Sequence, residues 1–218
     1  MLPLHLKNLC LSSLLFVLLV SCSPVAGYKL KGREVVTGSH VQTVINPNNS
    51  SLYKAKINLY NRYYSGLIVL KQTDSVTSHL VFITELGMKM FDFKIQNNEL
   101  ELVYVFEPLN KPNILKLLKR DMKLILLQHL LNKEATVYEA KDKTKRIFKI
   151  ADGKLKHYYV VNSNIKTIEK TIVKGKVCVK EKVIYSYDEK LVAQQIKLKH
   201  SGFIRLRIEL NKISKEIQ

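Results

Sequence analysis

Residues 111–133 read KPNILKLLKRDMKLILLQHLLNK, and their reading decides the fold, because this segment alone breaks a chain otherwise made of short strand-like runs. It opens with Pro112 and Asn113 and then places Ile114, Leu118, Met122 and Ile125 at helical spacing. Lys116, Lys119, Arg120 and Lys123 fall together on another face. The apolar content, including LILLQHLL at 124–131, exceeds one narrow stripe. Such a helix is expected to pack deeply into the concave side of a sheet. Plain core packing accounts for most of its residues. The sharper expectation is a wall over a greasy cavity, with the basic stripe turned toward anionic head groups.

From Leu52 onward the texture is β-rich: LYKAKINLY, YSGLIVLKQ, SHLVFITEL, MKMFDFKIQ, ELELVYVFE, ATVYEAK, RIFKIA, KHYYVVN, VCVKEKVIYSY, LVAQQIKLKH and FIRLRIEL, separated by polar breaks. The breaks NNE, ADG, YDE and HSG read as hairpin connections, so the runs form a long antiparallel meander. Leu100, Leu102, Tyr104 and Phe106 are expected on one face and Glu99 and Glu101 on the other; Ile204, Leu206, Ile208 and Leu210 oppose Arg205, Arg207 and Glu209. A sheet of about ten or more strands curls, closes or splits. The predicted fold class is therefore mainly β (α+β): a curled antiparallel sheet or incomplete β-barrel with one main amphipathic helix in or over its concave face. Phe82, Leu102, Tyr104, Phe106, Leu118, Met122 and Ile125 are the candidate lining of an acyl-chain cavity, and Lys116, Lys119, Arg120 and Lys123 the candidate head-group contacts. Core packing is the majority explanation for each apolar member. Met88, Met90 and Met122 add mild support, since methionine adapts to flexible chains.

The amino terminus carries Lys7 and then the nearly unbroken apolar run LCLSSLLFVLLV at 9–20, an export signal too short to span a membrane comfortably. Leu19-Val20-Ser21-Cys22 resembles the lipobox of bacterial lipoproteins. That resemblance implies cleavage before Cys22 and acylation of it, with several chains giving a stable anchor where one would be marginal. The expected organisation is a signal peptide over 1–21, a lipidated terminus and tether over 22–50, and a β domain over 51–218. With Cys10 in the signal and Cys22 modified, Cys178 is the last thiol, so no internal disulfide is available. A small buried hydrophobe in a strand is the expected state of Cys178.

The 218 residues carry 36 basic and 18 acidic side chains, a net charge of +18. Losing Lys7 with the signal leaves 35 against 18. Such a surface attracts polyanions. Export behind a lipid tail argues against nucleic acid, and the absence of tryptophan disfavours sugar-stacking platforms. His40, His79, His129, His157 and His200 are scattered, without metal-ligand spacing, and no nucleophile, phosphate-loop or dinucleotide motif occurs. Neither a metal, a cofactor nor a catalytic residue is expected, and a clustered acid and base is not visible in the sequence.

The lipobox, the meander and above all the stretch HLVFITELGMKMFDFKIQNNELELVYVFEPLNKPNILKLLKRDMKLIL resemble outer-membrane lipoprotein carriers and receptors of the LolA/LolB type, mainly over residues 52–135. The resemblance implies an incomplete β-barrel whose apolar interior takes acyl chains. It further implies a lipid-anchored outer-membrane protein on the periplasmic face that binds membrane lipid or lipoprotein acyl chains and meets a periplasmic carrier protein as partner. Ser23 after Cys22 fits outer-membrane sorting by the same resemblance. The other reading left open is a non-catalytic structural or adhesive lipoprotein whose basic face binds anionic glycan or lipopolysaccharide.

Overall fold

Period-two alternation forces each run to bury one edge of its side chains, and a chain with many such runs satisfies this by pairing them in one sheet. The computed structural model describes residues 23–42, 44, 50–97, 99–176, 178–201 and 205–213. Its strands are β1 (Tyr28–Val35), β2 (Ser51–Leu59), β3 (Arg62–Gln72), β4 (Thr77–Thr84), β5 (Lys89–Gln96), β6 (Glu99–Val105), β7 (Glu134–Ala140), β8 (Lys145–Asp152), β9 (Leu155–Asn162), β10 (Ile168–Lys174), β11 (Val179–Tyr187), β12 (Ala193–His200) and β13 (Leu206–Lys212). Helix α1 spans Pro112–Ile125.

All 13 strands form one antiparallel sheet in the order β1-β7-β8-β9-β10-β11-β12-β13-β2-β3-β4-β5-β6. The sheet is open, with β1 and β6 as its edges. Strands β6 and β7 are consecutive in sequence yet sit at opposite ends of that order, so the segment holding α1 must bridge them. Laid flat, the interval from β7 to β6 would be about 53 Å at the usual strand spacing. Helix α1 covers only about 21 Å. The sheet therefore curls around the helix, and side chains from β5 and β6 (Phe93, Leu100) join those from β7 and β8 (Val137, Phe148) in one hydrophobic cluster.

Pro112 at the first helical positions and an extended Lys111 start α1. It ends near Ile125, after which Leu127 adopts φ of 60°. The sequence had suggested a helix running on toward Lys133; instead LILLQHLL leaves the helix and turns, with Leu126, Leu127 and Leu130 all buried. The last helical carbonyls lack partners within the helix. The Tyr185 hydroxyl from β11 serves them, donating toward Leu124 O (3.1 Å) and Ile125 O (3.3 Å).

Two strands escaped the sequence reading, β1 and β10. The tether expected over 22–50 contains β1, which pairs with β7 from Tyr28↔Ala140 to Val35↔Glu134, and Val36, Val41 and Val44 enter the core. As an edge strand with nearly every side chain in solvent, β1 has no apolar alternation to betray it. Cys178 corrects another expectation: it is exposed, in the connection between β10 and β11. The signal peptide, Cys22 and Ile204 lie outside the described residues.

Candidate functional site

The expected cavity lining divides three ways. Phe82 on β4 and Leu118, Met122 and Ile125 on α1 meet in the single core cluster, none more than 2% exposed. Phe106, just after β6, packs against that cluster half-buried. These side chains pack together in the core on the concave face, where α1 lies within the space that the curled sheet encloses. Leu102 and Tyr104 depart further. A bulge in the β5–β6 ladder pairs Phe93 with Leu102 but Asp92 with Tyr104, so the alternation flips beyond Val103. Leu102 keeps the inner row yet is 38% exposed on the uncovered edge strand. Tyr104 turns to the outer face, where the Lys89 ammonium lies 5.6 Å from its ring centroid.

The head-group stripe also splits. Lys116 and Lys119 are exposed, as expected. Lys123 reaches Glu99 at the start of β6 (2.5 Å), and Arg120 folds back onto the sheet and holds Glu181 Oε1 at 2.5 Å. Two of the four cations are thus spent fastening α1 to strands.

Arg120 belongs to a group that sequence reasoning missed. Asp121 from α1, Glu181 from β11 and His200 from β12 bring one ligating atom each within 4.8 Å of one another, all buried. His200 Nε2 lies 2.8 Å from Asp121 Oδ2, and its Nδ1 is 3.9 Å from Glu181 Oε1. Burial raises the pKa of both carboxyls above the ordinary carboxylate value; His200 and Arg120 oppose this at Asp121, and Arg120 and His200 oppose it at Glu181, where Asp121 adds to the rise. The donor types would suit a divalent cation. Arg120 argues against one: its guanidinium keeps its charge and already occupies Glu181. The group works as a charged latch between α1 and strands β11 and β12. Separations of 79 residues (Asp121 to His200) and no local spacing rule left it invisible in one dimension. His129 and His157, likewise scattered in sequence, come together with ring centroids 5.5 Å apart and planes tilted by 42°.

An apolar concavity lies at the amino-terminal end of α1. A pocket of about 330 Å³ is lined by Leu59, Tyr60, Tyr64, Leu109 and Ile114 together with the cations Arg62 and Lys111. The β2–β3 connection supplies one wall and the turn leading into α1 the other. Tyr60 has φ of 54°, a left-handed backbone that costs a non-glycine residue about 1–2 kcal/mol. Its amide donates to Arg205 O (2.7 Å) and its side chain stays 55% exposed. The pocket lies at the small end of the ~300–1,000 Å³ usual for small-molecule sites. Among the described residues no helix is long and apolar enough to cross a membrane.

No protein-family description matches the chain, and no curated protein does. Solved structures do. A LolA superfamily protein from Nitrosomonas europaea aligns with TM-score 0.45 at 8% identity, covering 78% of this chain and 87% of that one. A DUF1329 family protein from Desulfovibrio piger gives 0.38 at 9%, covering 76% and 84%. A domain from Vibrio parahaemolyticus named for outer-membrane lipoprotein sorting gives 0.39 at 7%, covering 83% and 90%.

Proposed function

We propose that this chain is a non-catalytic lipid-binding protein of the bacterial envelope, anchored through acylated Cys22, and that it receives the end of an acyl chain in the pocket beside the start of α1. One observation carries the reading: an apolar recess walled by Leu59, Tyr64, Leu109 and Ile114 whose lining also holds two cations, Arg62 and Lys111. Burying methylenes there contributes about 0.8 kcal/mol each, and the two cations favour an anionic head or carboxylate. The volume fits part of one chain. A lipoprotein with several chains would have to displace α1 from the sheet. In the buried latch His200 Nε2 is taken up by Asp121 Oδ2 at 2.8 Å, which holds the ring as part of the fastening between α1 and β12.

A neutral fatty alcohol bearing an environment-sensitive fluorophore tests the pocket. Ile114→Asp places a charge among its walls, at a first-turn position where the helix dipole favours an acid, so folding should survive. Probe capture should be lost with the melting temperature nearly unchanged. Undiminished capture by the folded variant refutes the site. Metabolic labelling with palmitate tests the anchor: label should appear on the wild type and vanish in Cys22→Ser, and equal labelling of both refutes it.

A further inference from the structure

A second recess adjoins the first, with Tyr60 as their shared wall. It measures about 630 Å³ and lies where the end of β12 and the start of β13 meet the end of β2. Lys199, Arg205, Arg207 and Asn58 line it together with Ser201 and His200 of the latch, and among the described residues no carboxylate does. Register explains the concentration of charge. Lys199 faces Arg207 across β12–β13, and Arg207 faces Asn58 across β13–β2, so adjacent strands aim one row of side chains at one place. Lys182 on β11 extends the row through its pairing with Lys199.

The carboxylates that could neutralise this row are engaged elsewhere. Glu181, next to Lys182 in sequence, points inward to Arg120, and Glu209, next along β13 from Arg207, is held by Lys197 at 3.6 Å. Like charges on directly opposed strand positions repel. Here they are kept together in a concavity with the Asn58 amide at the end of the row, beside Arg207, an arrangement that a bound oxyanion relieves.

We infer that this recess binds a phosphate ester, and that an amphiphile with its tail in the apolar pocket sets its phosphate here, across Tyr60. The tail half of this assignment rests on the acyl-chain reading; the phosphate half stands on the row of cations alone. Lys199 and Arg207 make the primary contacts, Arg205 closes the side next to Tyr60, and Asn58 donates from its amide. The Tyr60 amide bond to Arg205 O holds the β2–β3 and β12–β13 connections together, which places the recesses side by side.

Three probes separate the parts. Glycerol phosphate, followed by calorimetry, reads the basic recess alone; the neutral fatty alcohol reads the apolar pocket alone; phosphatidylglycerol vesicles, compared with phosphatidylcholine vesicles by co-sedimentation, read a lipid-borne head group. Lys199→Gln/Arg207→Gln changes only exposed side chains. It should lose glycerol phosphate binding and weaken vesicle preference about 25-fold, near fivefold per cation, while fatty-alcohol binding stays. Lys141→Gln/Lys154→Gln removes the same charge from distant connections and should cost far less. Equal losses in the two double variants, or unchanged glycerol phosphate binding in the first, overturn the site. Glycerol phosphate binding without vesicle preference supports it with a soluble ester as ligand. Loss of the fatty-alcohol signal alone removes the tail reading and leaves the phosphate site standing.

Discussion

His157 should make this protein acid-sensitive in a way that one substitution removes. The side chain is 3% exposed on β9, its ring lies nearly parallel to Tyr159 (17°), and the His129 ring is on its other side. Neither ring nitrogen has a hydrogen-bond partner; Asp152 Oδ2 comes only to 3.7 Å of Nε2. Burial holds its pKa down at about 4, from an ordinary 6.5; His129 and Arg120 push the same way and Asp152 resists. The unfolded chain therefore takes a proton near pH 6.5 that the folded chain refuses until about pH 4. Stability from this residue is complete above 6.5 and is lost as pH falls toward 4. The interval amounts to about 3 kcal/mol.

His129, also depressed by burial, adds in the same direction. Asp121 and Glu181, raised by burial, act oppositely and gain from acid. The contrast with His157→Phe isolates the one residue, since the other groups and the net positive charge are common to both proteins. Phenylalanine keeps the ring stacking and removes two orphaned nitrogens, so the variant should be near neutral at pH 7. Urea unfolding at pH 7 and pH 4 should show the wild-type loss exceeding that of the variant by about 3 kcal/mol. In thermal melts this is roughly 6–12 °C for a chain of this size. Parallel pH profiles for the two proteins would refute the buried, neutral state of His157.

Met122→Ala should cost about 2–5 kcal/mol in urea unfolding, as a fully buried side chain that leaves a cavity, and should leave fatty-alcohol capture unchanged; lost capture with stability intact would make the interior a ligand chamber. Gly66→Ala would put a Cβ 2.0 Å from Ile83 O, a backbone atom, so the β3–β4 ladder must part, and amide exchange there should accelerate strongly; unchanged protection counts against that register. Arg120→Met should leave Asp121 and Glu181 without their cation and cost about 2–3 kcal/mol at pH 7, below the full buried-pair range because Arg120 keeps a third of its side chain in solvent. Protonation of the two carboxyls should recover much of that by pH 4, and a pH-independent loss would dismiss the latch.

The sheet was legible because alternation survives wherever one strand face is covered: β2 runs buried-intermediate-buried-exposed through Ser51–Leu59, as LYKAKINLY suggests. It failed at the edges. In β1 nothing is covered, and in β6 the bulge opposite Asp92 moved Tyr104 to the outer face while the strand kept its apolar spelling. The helix start was legible from Lys111-Pro112-Asn113, but its end was not. LILLQHLL stays apolar after the helix stops, since burial, and no longer helix periodicity, dictates those residues. The candidate sites were the least legible part. Lys199, Arg207 and Asn58 become neighbours only through the pairing of β12, β13 and β2, and β2 is separated from β13 by most of the chain.

Why the ligand should sit at the rim follows from how the sheet is bridged. Because β6 and β7 lie at opposite ends of the strand order, α1 has to cross the enclosed face, and its apolar side chains take the volume that an acyl chain would otherwise enter. Opening that volume means lifting α1, which breaks Arg120–Glu181, His200–Asp121 and the Tyr185 bonds to Leu124 and Ile125 together. A single tail at about 0.8 kcal/mol per methylene could offset the cost of parting the core only if much of it were buried. The recesses flanking Tyr60 require no such parting. If a tail does enter the core, Arg120→Met should strengthen its capture by loosening the latch; if it binds only at the rim, capture by Arg120→Met at pH 7 should equal that of the wild type.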